Sequence, residues 1–151
     1  MLLRSTPQPG LLIVVYYFRT ETLGVYIKSS YFPIPRNAEN GIKTSDRMLL
    51  GPFCGRPACQ FINTTPGMGR GVCADAFLQR RTIVVPNVDE YPGHIACDGE
   101  TKSEIVLPLV LRSGETVGVL DLDCLALHGF GGEDKEGLEK IARLISDSSD
   151  W

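Results

Sequence analysis

The chain has 151 residues, 43% apolar and 22% charged, with a net charge of −3. That suits one soluble globular domain with a single core and lacks the basic footprint of a nucleic-acid binder. Five cysteines with no CxxC pair, and only two histidines, argue against a fully paired secreted framework, a zinc finger and a histidine-rich metal site. The expectation is an intracellular protein whose thiols are reduced, catalytic or incidental.

Residues 1–10 read as a loose tail. Residues 11–18 (LLIVVYYF) are strongly apolar but far short of the roughly 20 residues that span a bilayer. No small-residue cleavage site follows them, so a buried strand is the better reading. Residues 23–27 form a second β-rich run. Residues 29–47 hold Pro33, Pro35, Asn37, Asn40 and Gly41 and read as a long loop. A short strand at 48–50 ends at Gly51-Pro52, and another covers 59–63. After the Gly-rich connection 64–71, residues 72–79 read as a short helix with Val72, Ala76 and Phe77 facing inward. Residues 82–85 are a strand ended by Pro86, and 87–103 a loop. The apolar runs 105–111 and 116–122 flank Arg112-Ser113-Gly114-Glu115, the pattern of an antiparallel hairpin. A final helix at 133–145 aligns Leu138, Ile141, Leu144 and Ile145 on one face. Asp134 lies near its start, where a carboxylate suits the macrodipole. The fold class is therefore α+β: an antiparallel sheet of about five or six strands flanked by helices. The strand from Thr116, apolar on both faces, should be central and covered on both sides.

Several residues have the chemistry of a site. The loop YPGHIACDGETKSE places Cys97 beside His94, Asp98, Glu100 and Glu104, so this thiol is a redox or nucleophilic candidate. A buried structural cysteine is the plainer alternative. Strand alternation puts Asp121 and Asp123 on one face with Val117 and Val119, and Gly118, Leu120, Leu122 and Cys124 on the other. Two carboxylates continuing an apolar face read as a pocket wall in which one acid stays protonated. The alternative is a pair of solvated aspartates past the strand end. Glu104 precedes the hairpin and is expected beside them. Cys73 opens the short helix, where the dipole favours a thiolate; core packing is an equal alternative. Cys59 follows Gly55-Arg56-Pro57 and is marked only by the need of a disulfide cycle for a second thiol. His94 has the chemistry for proton transfer, although a satisfied loop histidine is the simpler reading, and His128 has less support. Gly67, Gly69 and Gly71 lack the Lys-Ser/Thr of a phosphate cradle.

The stretches LGPFCGRPACQFI, GRGVC, IVVPNVDEYPGHIACDGETKSEIVLPLV, VGVLDLDC and FGGEDKEGLEKIARLI occur in one order. Together they resemble the free methionine-(R)-sulfoxide reductases, enzymes built on a GAF domain, across residues 50–145. The 24-residue step from Cys73 to Cys97 also resembles the family's spacing. The resemblance implies a GAF-like domain at 20–151, preceded by an atypical segment at 1–19. It implies reduction of free L-methionine (R)-sulfoxide to methionine through a cysteine sulfenic acid and a disulfide. No cofactor or metal is implied beyond thioredoxin as reductant. Cys97 matches the attacking cysteine, Cys59 the resolving one and Cys73 a third family cysteine that is the alternative nucleophile. Glu104, Asp121 and Asp123 match pocket carboxylates that hydrogen-bond the sulfoxide oxygen and bind the substrate ammonium, and Tyr26 matches a pocket wall. Backbone groups near Cys97 are expected to hold the substrate carboxylate. A homodimer and a cytoplasmic location are further expectations.

The chain also departs from the pattern. Thr22 stands where relatives have a pocket tryptophan, Ala74 where they have glycine, and the gap from Cys59 to Cys73 is longer. Residues 1–19 replace a longer helical segment, which leads to the expectation of a truncated or misread N-terminus. Cys54 and Cys124 read as incidental. The rival functions are a GAF sensor that binds a small ligand without turnover and a peroxide-sensing thiol protein.

Overall fold

The computed structural model describes residues 20–32, 46–95 and 97–151. The expected tail and strand before Thr20, and residues 33–45 of the long connection, lie outside them. Six described strands form one antiparallel sheet in the order β3-β2-β1-β6-β5-β4. They are β1 (Thr22–Lys28), β2 (Arg47–Gly55), β3 (Phe61–Asn63), β4 (Ile83–Val85), β5 (Ser103–Val110) and β6 (Thr116–Cys124). Among the described residues two α-helices accompany them, α1 (Val72–Gln79) and α2 (Gly132–Ser148). Among the described residues no helix is long and apolar enough to cross a membrane.

The hairpin expected from the paired apolar runs is β5–β6, closed by a turn in which the Gly114 N–H donates to the Leu111 carbonyl at 2.9 Å. Gly114 has φ +85°, a conformation that favours glycine. As expected, β6 is central. It pairs with β1 and β5, and every residue of it except Asp123 is buried. Its close approach to β1 relies on Gly118: a Cβ there would collide with the Tyr26 carbonyl oxygen.

The two sheet faces carry separate cores. On one, Leu23, Leu107, Leu120 and Leu122 pack with Leu138 and Ala142 of α2, and Trp151 closes one side. On the other, Tyr26, Met48, Val106 and Val119 pack with Val72, Cys73, Ala74 and Ala76 of α1. Helix α2 starts as its sequence predicts, with Asp134 accepting the Gly131 N–H at 2.7 Å.

Four details differ from the sequence expectation. The strand at 48–50 does not stop at Gly51-Pro52: β2 runs on to Gly55, with a register shift opposite Gly24 and Tyr26 that absorbs the proline in a bulge. The strand at 59–63 is shorter, so Cys59 lies in the loop before β3. Val117 leaves the aspartate face and joins the Leu120 core, because a second register shift opposite Leu109 and Val110 breaks the alternation. In α2, Ile141 and Ile145 pack on the core but Leu144 is exposed, its place inside taken by Ala142.

Candidate active site

The site lies between the α1 face of the sheet and the loop joining β4 to β5. Antiparallel pairing brings the carboxylates together: Glu104 of β5 is directly opposite Asp123 of β6, and Asp121 is two residues further along the same face. Tyr26 of β1 forms the adjoining floor, since its neighbour Gly24 pairs with Asp121. Cys73, the second residue of α1, points at them from above, and its donor atom lies within 4.8 Å of those of Glu104 and Asp121. His94, Ile95, Cys97 and Thr101 come from the overhanging loop, and Arg70 and Gly71 from the approach to α1.

Cys59 and Cys97 form a disulfide at the mouth of this pocket, with Cα atoms 5.2 Å apart and a sequence separation of 38. Cys97 is exposed and Cys59 partly so. Buried Tyr26 holds the Cys59 segment from below, its hydroxyl donating to the Cys59 carbonyl at 2.9 Å. Burial, and then the Asp121 carboxylate, pushes the Tyr26 phenol well above its ordinary value, so it stays a donor.

Among the described residues, no Lys or Arg is buried beside the carboxylates. Burial pushes Glu104 up to about 8, with Asp123 adding to the shift. Burial and then Asp121 push Asp123 up to about 8 in the same way. Asp121 is raised most by burial and then by Glu104. It hydrogen-bonds with Cys73 and Glu104, yet its Oδ1 is buried with no protein partner. An unpaired buried oxygen of this kind is costly and marks a place for a donor. These three acids share protons as a unit. His94 Nε2 lies 3.4 Å from Glu104, and burial lowers the imidazole below its ordinary value. It is therefore neutral near pH 7 and free to hand a proton on.

Cys73 is corrected on one point. The helix start does not give it a thiolate, because burial and the neighbouring Asp121 and Glu104 push its thiol well above the ordinary value. Cys124 faces the opposite core, as expected, and Cys54 lies outside the pocket lining. Thr22 is buried opposite Asp123 but does not line the pocket. Among the described residues, Cys73, Glu104 and Asp121 also have the chemistry to ligate a metal ion.

Sequence reasoning set His94 aside and did not single out Arg70 or Thr101. For Thr101 a local signal existed. Asp98-Gly99-Glu100-Thr101 folds so that the Asp98 carboxylate accepts from the N–H groups of Glu100 and Thr101 and from the Thr101 hydroxyl. Burial would raise Asp98, but those bonds and Arg56 outweigh it and hold the carboxyl below its ordinary value.

The GAF domain family profile matches residues 39–148. Free methionine-R-sulfoxide reductase of Saccharomyces cerevisiae is 54% identical over 101 residues, which are 67% of this chain and 54% of that protein. The enzyme of that name in Escherichia coli is 42% identical over 66% of this chain and 58% of its own length. The structure of free methionine-R-sulfoxide reductase from Neisseria meningitidis in complex with its substrate superposes with a TM-score of 0.74 at 31% identity, covering 91% of this chain and 72% of that one. The chain belongs to the GAF domain family, in the branch of the free methionine-R-sulfoxide reductases. It spans little more than half the length of the curated relatives it matches.

Proposed function

We propose that this protein reduces free methionine-(R)-sulfoxide to methionine. The single observation that carries this reading is the Cys59–Cys97 disulfide at the mouth of a pocket floored by the carboxyl groups of Glu104, Asp121 and Asp123. The relatives' names point the same way. Sulfoxide sulfur becomes electrophilic once its oxygen is protonated, and Glu104 or Asp121, kept protonated by burial, is the donor. Cys97 then attacks sulfur. Its thiolate becomes a sulfenic acid by taking the oxygen, and methionine leaves with the electron pair. Cys59 attacks the sulfenic sulfur, the Cys59–Cys97 bond forms and water departs. Thioredoxin supplies two thiols that reopen the bond by exchange. The raised Cys73 thiol and its burial favour exposed Cys97 as the attacking residue.

The charged form of one acid in the cluster holds the substrate ammonium, since a cation there relieves the repulsion that raises the others. Asp123, the least buried of the three, is the first choice for that contact. A peptide-bound methionine sulfoxide lacks this ammonium, so the free amino acid is preferred.

The test is thioredoxin-coupled NADPH oxidation with the free R-epimer, the S-epimer and an N-acetylated R-epimer. Turnover of the free R-epimer alone is expected, with Cys97→Ser and Cys59→Ser abolishing cycling. A folded protein that turns over none of the three, while its disulfide still cycles with peroxide, would sink the reductase reading in favour of a thiol sensor.

A further inference from the structure

The loop that carries Cys97 joins β4 to β5. Its outer part is anchored where the His94 N–H donates to Tyr91 and the Lys102 N–H to Cys124. The stretch around Cys97 is tied down by side chains. Arg56, three residues before Cys59, reaches across with its Nε 3.1 Å from Asp98 Oδ2, and its Nη2 contacts Glu100. The Arg56 base is itself fixed, because its backbone N–H donates to the Glu21 carbonyl at 3.2 Å after the Gly55 turn. Asp98 is fixed too: its other oxygen takes three hydrogen bonds from Glu100 and Thr101, and its side chain is only 5% exposed. One guanidinium therefore joins a segment ending at Cys59 to a rigid turn beginning one residue after Cys97. It does so without lining the pocket.

We infer that Arg56 is a positioning residue, a clasp that keeps the Cys97 loop beside Cys59 when the disulfide is open and so sets how readily the bond closes. The inference deepens the proposed reaction and rests on it for its catalytic meaning. Its physical content is an effective concentration of one thiol at the other. The clasp acts on the step in which the Cys59 thiol meets the Cys97 sulfenic acid, forming the S–S bond and releasing water. It has no part in oxygen transfer. The guanidinium suits the task because its planar fork spans two carboxylates, which a lysine ammonium cannot match.

The test is the midpoint potential of the Cys59–Cys97 pair in dithiothreitol redox buffers, which needs no sulfoxide and so stands apart from the turnover assay. Arg56→Ala should lower the effective concentration about tenfold, making the potential about 30 mV less negative, with Arg56→Lys in between. In stopped-flow work with hydrogen peroxide as oxidant, loss of the Cys59 thiol should slow by a similar factor while sulfenic acid formation on Cys97 keeps its rate. High salt should move the unsubstituted protein's potential in the same direction, a check that does not depend on how the variant folds. Potentials that agree within twofold in equilibrium constant across all three proteins would overturn the inference. So would an Arg56→Ala variant in which sulfenic acid formation slows as much as closure.

Discussion

Along β6, Leu120 and Leu122 turn toward α2, while Val119, Asp121 and Asp123 turn toward α1 and the cysteine loop. The same strand, with the same backbone bonds, thus serves two different interiors. The α2 side is closed with leucines and gains stability from apolar burial. The α1 side gathers three carboxyl groups, a thiol and a phenol, and raises the pKa of all of them. The contrast teaches where stability and chemistry separate: one face supports the fold, and the other bears an electrostatic strain that a substrate cation and a protonated oxygen would relieve.

That comparison breaks or sharpens under substitution. Asp121→Asn should lower kcat/KM for sulfoxide reduction by about 10²–10⁴-fold. Its melting temperature should hold or rise, because a buried ionisable group crowded by Glu104 is gone; a large loss of stability would erase the contrast. Leu122→Ala, its neighbour on the other face, should cost about 2–5 kcal/mol in denaturant titration. KM of the folded fraction should stay unchanged.

The pH dependence of stability gives a third test. Glu104 and Asp123 remain protonated in the fold up to about 8, whereas in the unfolded chain they ionise at ordinary carboxylate values. Between those limits the folded state holds more protons, so stability is greatest on the acid side and declines as pH rises toward 8. The change should be on the order of a few kcal/mol, and Glu104→Gln should flatten it. A pH-independent midpoint in urea would show that the acids are relieved by something other than protonation. The smallest effect belongs to neither face. Lys28 and Glu115 pair at 2.6 Å on the rim. Glu115→Gln should cost about 0.2–1 kcal/mol, and less at high salt.

The parts of this molecule legible in its sequence are those governed by local pattern. The hairpin, the terminal helix and the pocket-facing placement of Asp121 all follow from periodicity and turn chemistry. The misreadings arise where one residue breaks a period. The bulges at Gly51-Pro52 and Val117 lengthen one strand and turn one side chain over. Contacts between distant segments leave no local trace. His94 meets Glu104, and Arg56 meets Asp98, only once the sheet and its loop are assembled. Of the two readings open for Cys73, core packing holds and the thiolate does not, because a helix N-terminus is a local feature while the acids that override it come from two other strands.

The Cys59–Cys97 bond encloses β3, α1 and β4 in a covalent loop. By the chain-entropy relation, closing a loop across a sequence separation of 38 is worth about 4 kcal/mol to the folded state. Under the proposed cycle the protein alternates between a tethered and an untethered form of itself. Its survival against proteases and heat then depends on how much of its time it spends waiting for reductant. Melting curves taken with and without dithiothreitol would measure that gap, and equal midpoints would show that the loop is already ordered without its tether.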